Sequence, residues 1–221
     1  MQSVYDYETN FHLTLRVDRL AKFIAHYEAY KATMDVPGSI VECGVFKGTS
    51  FVRFAMLREL LSNYSSAKLI AFDVFSDQYP DTKYDEDKNY RDHWIKTAGP
   101  SSIGTEQLED LLNKQGVKNF ELVKGDVLQT VPKYVKEHPG MKISLLNVDI
   151  DFVEPTYCVL ENFYDLVMPG GIILLDNYAG EDAGGNSLHG DTKGIDDFFK
   201  GKDVVIQKFQ FAARPCYIVK E

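Results

Sequence analysis

Residues 40–50 of the chain read Ile40-Val41-Glu42-Cys43-Gly44-Val45-Phe46-Lys47-Gly48-Thr49-Ser50. A short apolar run ends at the acidic Glu42, and the glycines Gly44 and Gly48 separate it from an amphipathic segment over residues 51–61. This order predicts a buried strand, a tight turn and a helix. Glycine permits the positive backbone angles of a sharp turn, and the new helix offers unpaired N–H groups to polar or anionic ligand groups.

The spacing of the two glycines bears on the kind of ligand. It matches neither the G-x-G-x-x-G motif of dinucleotide-binding folds nor a phosphate loop ending in Gly-Lys-Ser/Thr. Glu42, two residues before Gly44, suits the amino group of an amino-acid-like cofactor, which a dinucleotide lacks. A strand–helix connection without any ligand is the alternative interpretation of the same turn.

Length and charge exclude several classes of protein. The 221 residues suffice for one domain with a full core. The formal net charge of −9, from 24 basic and 33 acidic residues, argues against a nucleic-acid or anionic-membrane partner. Residues 1–10 have neither the basic nor the apolar part of a signal peptide, and no apolar run approaches membrane-spanning length. The widely separated Cys43, Cys158 and Cys216 suit reduced core thiols, so we expect a cytoplasmic protein.

Apolar periodicity predicts alternating strands and helices along the rest of the chain. Further strands are predicted at residues 68–73, 120–123, 143–149, 172–176, 204–211 and 216–219. Helices are predicted at residues 17–34, 51–61, 105–115, 155–167 and 195–200, with a short one starting at Pro132. The alternation indicates a doubly wound α/β sheet of seven strands, mostly parallel. The last strand should be antiparallel, because its link is too short for a parallel crossover.

These elements predict a single domain over residues 1–221. Residues 1–36 form an N-terminal arm and helix in this prediction. Residues 76–104 are too long for an ordinary connection, which indicates a lid inserted over the ligand site.

Acidic residues follow four predicted strands, at the sheet edge where ligands bind in such folds. Asp73 follows Gly48 at the distance at which an acid binds ribose hydroxyls in dinucleotide folds, a role equally suited to any adenosine cofactor. A solvated strand end is the alternative interpretation of Asp73.

A second polar group comprises Asp149, Asp151, Asp176 and Asn177, on two strands expected to be neighbours. Crowded carboxylates raise one another's pKa unless a positive group lies between them. Oxygen ligands without nearby His or Cys fit Mg²⁺ rather than Zn²⁺. A surface carboxylate cluster without a metal is the alternative.

Several motifs, taken in chain order, resemble those of a known family. They lie at residues 37–48, 72–75, 125–132, 149–156, 168–171, 176–178 and 192–199. In this order the chain resembles the class I S-adenosylmethionine-dependent methyltransferases and, more narrowly, the macrocin (TylF-type) O-methyltransferases, which methylate sugar hydroxyls in antibiotic pathways. The resemblance implies a Rossmann-like class I methyltransferase fold and a homodimer.

The resemblance also assigns site residues. It implies that S-adenosyl-L-methionine is bound by Glu42, Gly44, Gly48, Thr49, Ser50, Asp73, Gly125 and Asp126. It implies Mg²⁺ on Asp149, Asp176 and Asn177, with Asp151 as general base. The chain departs from the family in two places. The family usually has two acids where Asp176 and Asn177 stand, and the segment after Gly125 has Asp126 and Val127 where an aromatic adenine contact is expected.

The function implied is methylation of a sugar hydroxyl, on a nucleotide sugar or a glycosylated natural product. A catechol or other phenolic O-methyltransferase shares the same use of a metal and stays an alternative. An inactive, cofactor-binding partner subunit is a second alternative. His93 and His189 lie in loops that can face the acceptor, and both are interpreted as surface histidines.

Overall fold

The strands form one mixed sheet in the computed structural model, which describes residues 3–76, 81–99, 101–181, 185 and 187–221. They are β1 (Ser39–Cys43), β2 (Leu69–Asp73), β3 (Phe120–Lys124), β4 (Ile143–Val148), β5 (Val167–Leu175), β6 (Gln207–Lys208) and β7 (Cys216–Val219). Their order across the sheet is β3-β2-β1-β4-β5-β7-β6. The first five strands are parallel, and β7 is antiparallel to β5 and β6. This confirms the predicted doubly wound α/β fold with an antiparallel last strand.

The helices lie on both faces of this sheet. They are α1 (Val4–Thr14), α2 (Val17–Ala32), α3 (Thr49–Leu61), α4 (Asp85–Ala98), α5 (Thr105–Lys114), α6 (Val127–Glu137), α7 (Val153–Phe163) and α8 (His189–Phe199). One core cluster packs α6, α7 and α8 against the sheet through Val131, Val159 and Ile195. The other packs α2, α3 and α5 through Ala29, Phe51 and Leu108. Both faces of the central strands β1, β2 and β4 are therefore buried, whereas β3, at the edge of the sheet, is only partly covered.

Four local predictions differ from the structure. The helix expected to start at Pro132 begins at Val127, because the Asp126 side chain caps it by accepting a hydrogen bond from the backbone N–H of Leu128. The helix expected at 195 begins at His189. The helix predicted over 155–167 ends at Phe163, and β5 begins at Val167 rather than at 172, since the Gly170 N–H pairs with the Lys220 carbonyl. The strand expected over 204–211 is only Gln207–Lys208.

The two insertions contain regular structure. Helix α4 forms within the predicted lid, of which residues 77–80 and 100 lie outside the described residues. In the glycine-rich stretch 180–194, residues 182–184 and 186 also lie outside them. None of the helices in the described part of the chain combines the length and apolar character that crossing a bilayer requires.

The glycine turn joins β1, α3 and the neighbouring strand β4. Gly44 has a φ of +89°, and a Cβ there would overlap the carbonyl oxygen of Asp149. Gly48 has a φ of +84° and precedes the first turn of α3. A Cβ at Gly48 would meet the Leu108 side chain at 3.2 Å, so this glycine serves packing against α5 as well as the turn. The close approach at Gly44 sets the ends of β1 and β4 side by side.

Candidate active site

A cavity of about 580 Å³ opens at the carboxyl ends of the parallel strands. The predicted site residues that line it are Gly44, Thr49, Ser50, Asp73, Asp126, Asp149, Asp151, Asp176 and Asn177. Helix α4 contributes Tyr90 and Trp94 to the wall, and helix α2 contributes Arg19 and Lys22. Three predicted cofactor residues, Glu42, Gly48 and Gly125, stand behind the lining rather than in it. The cavity thus joins both predicted groups of site residues.

Asp73 holds the glycine turn in place. Its Oδ2 accepts hydrogen bonds from the backbone N–H groups of Val45 at 2.7 Å and Phe46 at 3.0 Å, and its Oδ1 accepts one from Phe75 at 2.8 Å. The carbonyl of Asp73 also accepts from the N–H of Gly125, which lies behind the cavity wall. A carboxylate has about four lone-pair sites, so one stays open for a ligand hydroxyl. The structural role of Asp73 in the turn could not be predicted from its place at a strand end.

Glu42 is fully buried behind Ser50. Its Oε1 accepts hydrogen bonds from the Ser50 hydroxyl and, at 3.3 Å, from Asn147 Nδ2. Its Oε2 has no hydrogen-bond partner among the described residues. Burial raises the pKa of Glu42 to about 8, against the opposing effect of the Ser50 hydrogen bond. The Glu42 carboxyl therefore has one oxygen without a hydrogen-bond partner next to the cavity. A positive group bound nearby would stabilise its ionised form.

Helix α2 carries a cation into the acidic group. Lys22 Nζ lies 2.6 Å from Asp176 Oδ2 and 3.2 Å from Asp149 Oδ2. One turn further on, His26 Nε2 lies 3.7 Å from Asp176 Oδ1. Arg53 Nη1 donates to His26 Nδ1 at 3.1 Å, and because a guanidinium only donates, the neutral ring carries its proton on Nε2. The i, i+4 spacing of Lys22 and His26 puts both on one helix face, although neither was predicted as a site residue.

Asn177 contacts three carboxylates. Its Nδ2 lies 2.7 Å from Asp151 Oδ1, 3.0 Å from Asp191 Oδ2 and 3.1 Å from Asp149 Oδ1. Its Oδ1 accepts a hydrogen bond from Arg214. One oxygen from each of Asp149, Asp151 and Asp191 lies within 4.8 Å of the other two. The structure therefore brings the predicted acids together and adds Asp191 and Arg214, which the sequence did not indicate.

Asp191 belongs to the first turn of α8 and is 1% exposed. Its Oδ1 accepts hydrogen bonds from Thr156 Oγ1 at 2.6 Å and from the backbone N–H of Asp151 at 3.2 Å. A Cβ on Gly194, one turn later, would meet the Val153 carbonyl oxygen at 2.7 Å. Helices α7 and α8 thus pack closely enough to bring Asp191 into the acidic group.

Burial and the neighbouring charges give these acids different pKa values. Burial, followed by the Asp176 charge, raises the pKa of Asp149 to about 6. Burial raises the pKa of Asp191 to about 7, and burial with the Asp191 charge raises the pKa of Asp151. For Asp176 burial acts in the same direction, but Lys22 and then His26 more than offset it and lower the pKa. The group therefore favours a bound positive charge.

Comparison with known sequences identifies the family of the chain. Residues 12–190 match the sequence model of the macrocin-O-methyltransferase (TylF) family. The chain belongs to the macrocin O-methyltransferase family. Over 151 aligned residues it is 26% identical to the 8-demethyl-8-(2,3-dimethoxy-alpha-L-rhamnosyl)-tetracenomycin-C 4'-O-methyltransferase of Streptomyces olivaceus. The alignment covers 65% of this chain and 54% of that protein. The chain thus spans about half the length of that curated relative.

Two solved structures share the fold of this macrocin O-methyltransferase family member. The apo structure of CalS11, a TDP-rhamnose 3'-O-methyltransferase of calicheamicin biosynthesis, has a TM-score of 0.70 at 24% identity and covers 98% of this chain and 86% of that chain. The O-methyltransferase NovP has a TM-score of 0.73 at 16% identity and covers 90% of this chain and 79% of that chain. Methyltransferases of this architecture thus match nearly the whole chain.

The donors present fit the cation that this macrocin O-methyltransferase fold implies. All are oxygen atoms, which suits Mg²⁺, and the fully buried Asp176 Oδ1 has no hydrogen-bond partner among the described residues. Asn177 turns its nitrogen toward the carboxylates and its oxygen toward Arg214, so ligation by Asn177 requires its amide to rotate by half a turn. The two histidines considered from sequence, His93 and His189, do not line the cavity.

Proposed function

We propose that this chain is an S-adenosylmethionine-dependent, Mg²⁺-assisted O-methyltransferase that acts on a sugar hydroxyl of a nucleotide sugar or a glycosylated natural product. One observation carries the proposal: the glycine turn after β1 and the acids after β4 and β5 open into a single cavity. A methyl donor at the turn and a cation at the acids would then lie next to each other. The rhamnose-linked names of the tetracenomycin relative and of CalS11 favour a sugar as acceptor.

The cofactor would extend along the glycine turn. Thr49 and Ser50 line the cavity and begin α3, whose first N–H groups have no partner within the helix. Glu42, behind Ser50, has a free acceptor oxygen that suits the ammonium group of the methionine moiety. Asp73 and Asp126 line the adjoining wall, where the ribose and the adenine would lie. This arrangement fits an amino-acid-bearing nucleoside better than a dinucleotide.

The reaction transfers a methyl group from a sulfonium to an oxygen. The carbon–sulfur bond breaks as the carbon–oxygen bond forms, and the hydroxyl proton must leave. Mg²⁺, when bound, would lower the pKa of a chelated hydroxyl. The residues proposed to hold it are Asp149, Asp176 and Asn177, while Asp151 receives the proton. Burial raises the pKa of Asp151, which makes its ionised carboxylate a stronger proton acceptor.

The test combines turnover with cofactor binding. The protein is incubated with S-adenosylmethionine, Mg²⁺ and a panel of nucleotide sugars, glycosides and catechols, and products are detected by mass. Methylation of a sugar with two adjacent hydroxyls, lost after exhaustive chelation, is the expected result. Preference for catechols would replace the acceptor class, and activity that survives chelation would remove Mg²⁺ from the proposal.

Cofactor binding is measured separately by thermal unfolding. S-adenosylhomocysteine at about 100 times its Kd should stabilise the fold by about 2.7 kcal/mol. Stabilisation without methylation of any acceptor would favour the inactive partner subunit. The absence of any shift with either cofactor form would contradict the methyltransferase function itself.

A further inference from the structure

Lys22 occupies the space between two of the proposed metal ligands. We propose that its ammonium group is an exchangeable counter-ion, which neutralises Asp149 and Asp176 until a divalent cation displaces it. This inference rests on the proposed Mg²⁺ site, and it adds a residue of the N-terminal segment to the control of that site.

The contacts of Lys22 are those of a bound cation. Its Nζ contacts one oxygen of Asp149 and one of Asp176, which follow adjacent strands, and its side chain is 12% exposed. No other lysine among the described residues forms an ion pair with these two carboxylates. A divalent ion held by the same oxygens would approach the ammonium closely, and repulsion in this buried setting disfavours the two cations together. Binding of one therefore requires the other to leave.

Helix α2 allows this side chain to withdraw. The C-terminal half of α2 is anchored by the buried Ala25, Ala29 and Tyr30. Its N-terminal half is less firmly packed, since Leu20 is 44% exposed and Phe23 is 38% exposed. The four-carbon stem of lysine also lets the ammonium move several ångströms toward the cavity without unfolding the helix. Withdrawal leaves the α2 anchor intact.

Two other cations in the wall, Arg53 and Arg214, have different partners. Arg53 donates to His26 rather than to an acid of the group. Arg214 donates to the Asn177 oxygen, which points away from the carboxylates. The Asp149–Asp176 pair thus depends on Lys22 for its neutralising contact within the described chain.

The decisive experiment is calorimetric titration of the whole protein with MgCl₂, without cofactor or acceptor. Lys22→Met keeps the apolar stem and removes the charge. Lys31→Met is the matched control, because Lys31 lies on the same helix, is exposed and contacts the Tyr27 ring. We expect Lys22→Met to bind Mg²⁺ at least about tenfold more tightly than the wild type and Lys31→Met to be unchanged, since loss of one like charge lowers the cost of ion entry.

A second readout uses the wild-type protein, in case Lys22→Met does not fold. Reductive methylation of Lys22, followed by mass spectrometry, should be slow without metal and faster with MgCl₂, whereas Lys31 should react equally in both. Unchanged labelling of Lys22, or equal Mg²⁺ affinity in wild type and Lys22→Met, would overturn the exchange. Failure of both proteins to bind Mg²⁺ would instead overturn the metal site of the proposed function, and the exchange with it.

Discussion

At the scale of single residues, Glu42 should make stability depend on pH. Its pKa is ordinarily near 4.5 and is raised to about 8 in the fold, so between these values the unfolded chain releases its proton first. The contribution of Glu42 to the free energy of unfolding is therefore complete below about pH 4.5 and is lost as pH rises toward 8. As pH rises from 5 to 8, we expect the free energy of unfolding to fall less in Glu42→Gln than in the wild type.

The measurement is the Tm of both proteins across this pH range, without ligands. Glu109→Gln, at an exposed position of α5, is the matched control and should follow the wild type. Parallel curves for Glu42→Gln and the wild type would show that Glu42 ionises normally in the fold.

Asp151 should affect turnover more than metal binding. Its Oδ1 contacts Asn177, and its backbone N–H is held by Asp191, which fixes the carboxyl at the cavity wall. Because Asp151 is the proposed proton acceptor, Asp151→Asn should lower kcat by about 10²–10⁴-fold. The Mg²⁺ affinity, measured by calorimetry, should change much less. Equal losses of both would make Asp151 a ligand, and Asp165→Asn, at an exposed site, provides the control.

At the scale of elements, the junction of β1 and β4 limits what residue 44 can be. A Cβ at Gly44 overlaps the Asp149 carbonyl, and the φ of +89° adds strain. Gly44→Ala should therefore cost about 3 kcal/mol or more, or a fall in Tm of roughly 6 °C or more for a chain of this size. Gly140→Ala, where a Cβ meets nothing within 4 Å, should stay near the wild-type Tm in the same calorimetric scan. A similar Tm for both variants would contradict the close approach of the strands.

At the scale of the whole molecule, the single tryptophan reports on the cavity. Trp94 of α4 lies 5.3 Å from the Phe46 ring of the glycine turn, measured between ring centroids, and both line the cavity. Cofactor bound at the turn should exclude water from the indole, so saturation with S-adenosylhomocysteine should shift its emission to shorter wavelength. Trp94→Phe controls for background, and an unchanged spectrum at saturation would mean that α4 does not contact the bound cofactor.

Much of the site could be predicted from local sequence. Glu42, Asp73, Asp149 and Asp176 stand at strand ends, and parallel strands put those ends at one edge. Alternation of side chains and the order of strands and helices were enough for this, because both depend on neighbours a few residues away. The local breakers were less informative: Pro132 lies inside α6 and Gly170 inside β5, where capping and sheet pairing outweigh their intrinsic preferences.

The charged groups that contact the acids come from distant parts of the chain. Lys22 is 154 positions from Asp176, and Asp191 is 40 positions from Asp151. No local pattern encodes such contacts, because they arise from how α2 crosses the strand ends and how α7 and α8 pack. Local sequence patterns were thus enough to predict the fold and the edge of the sheet that carries the acids. Packing between distant elements determined the partners of these acids. It also buries the charge pairs, and opposite charges attract more strongly in a buried setting than in water.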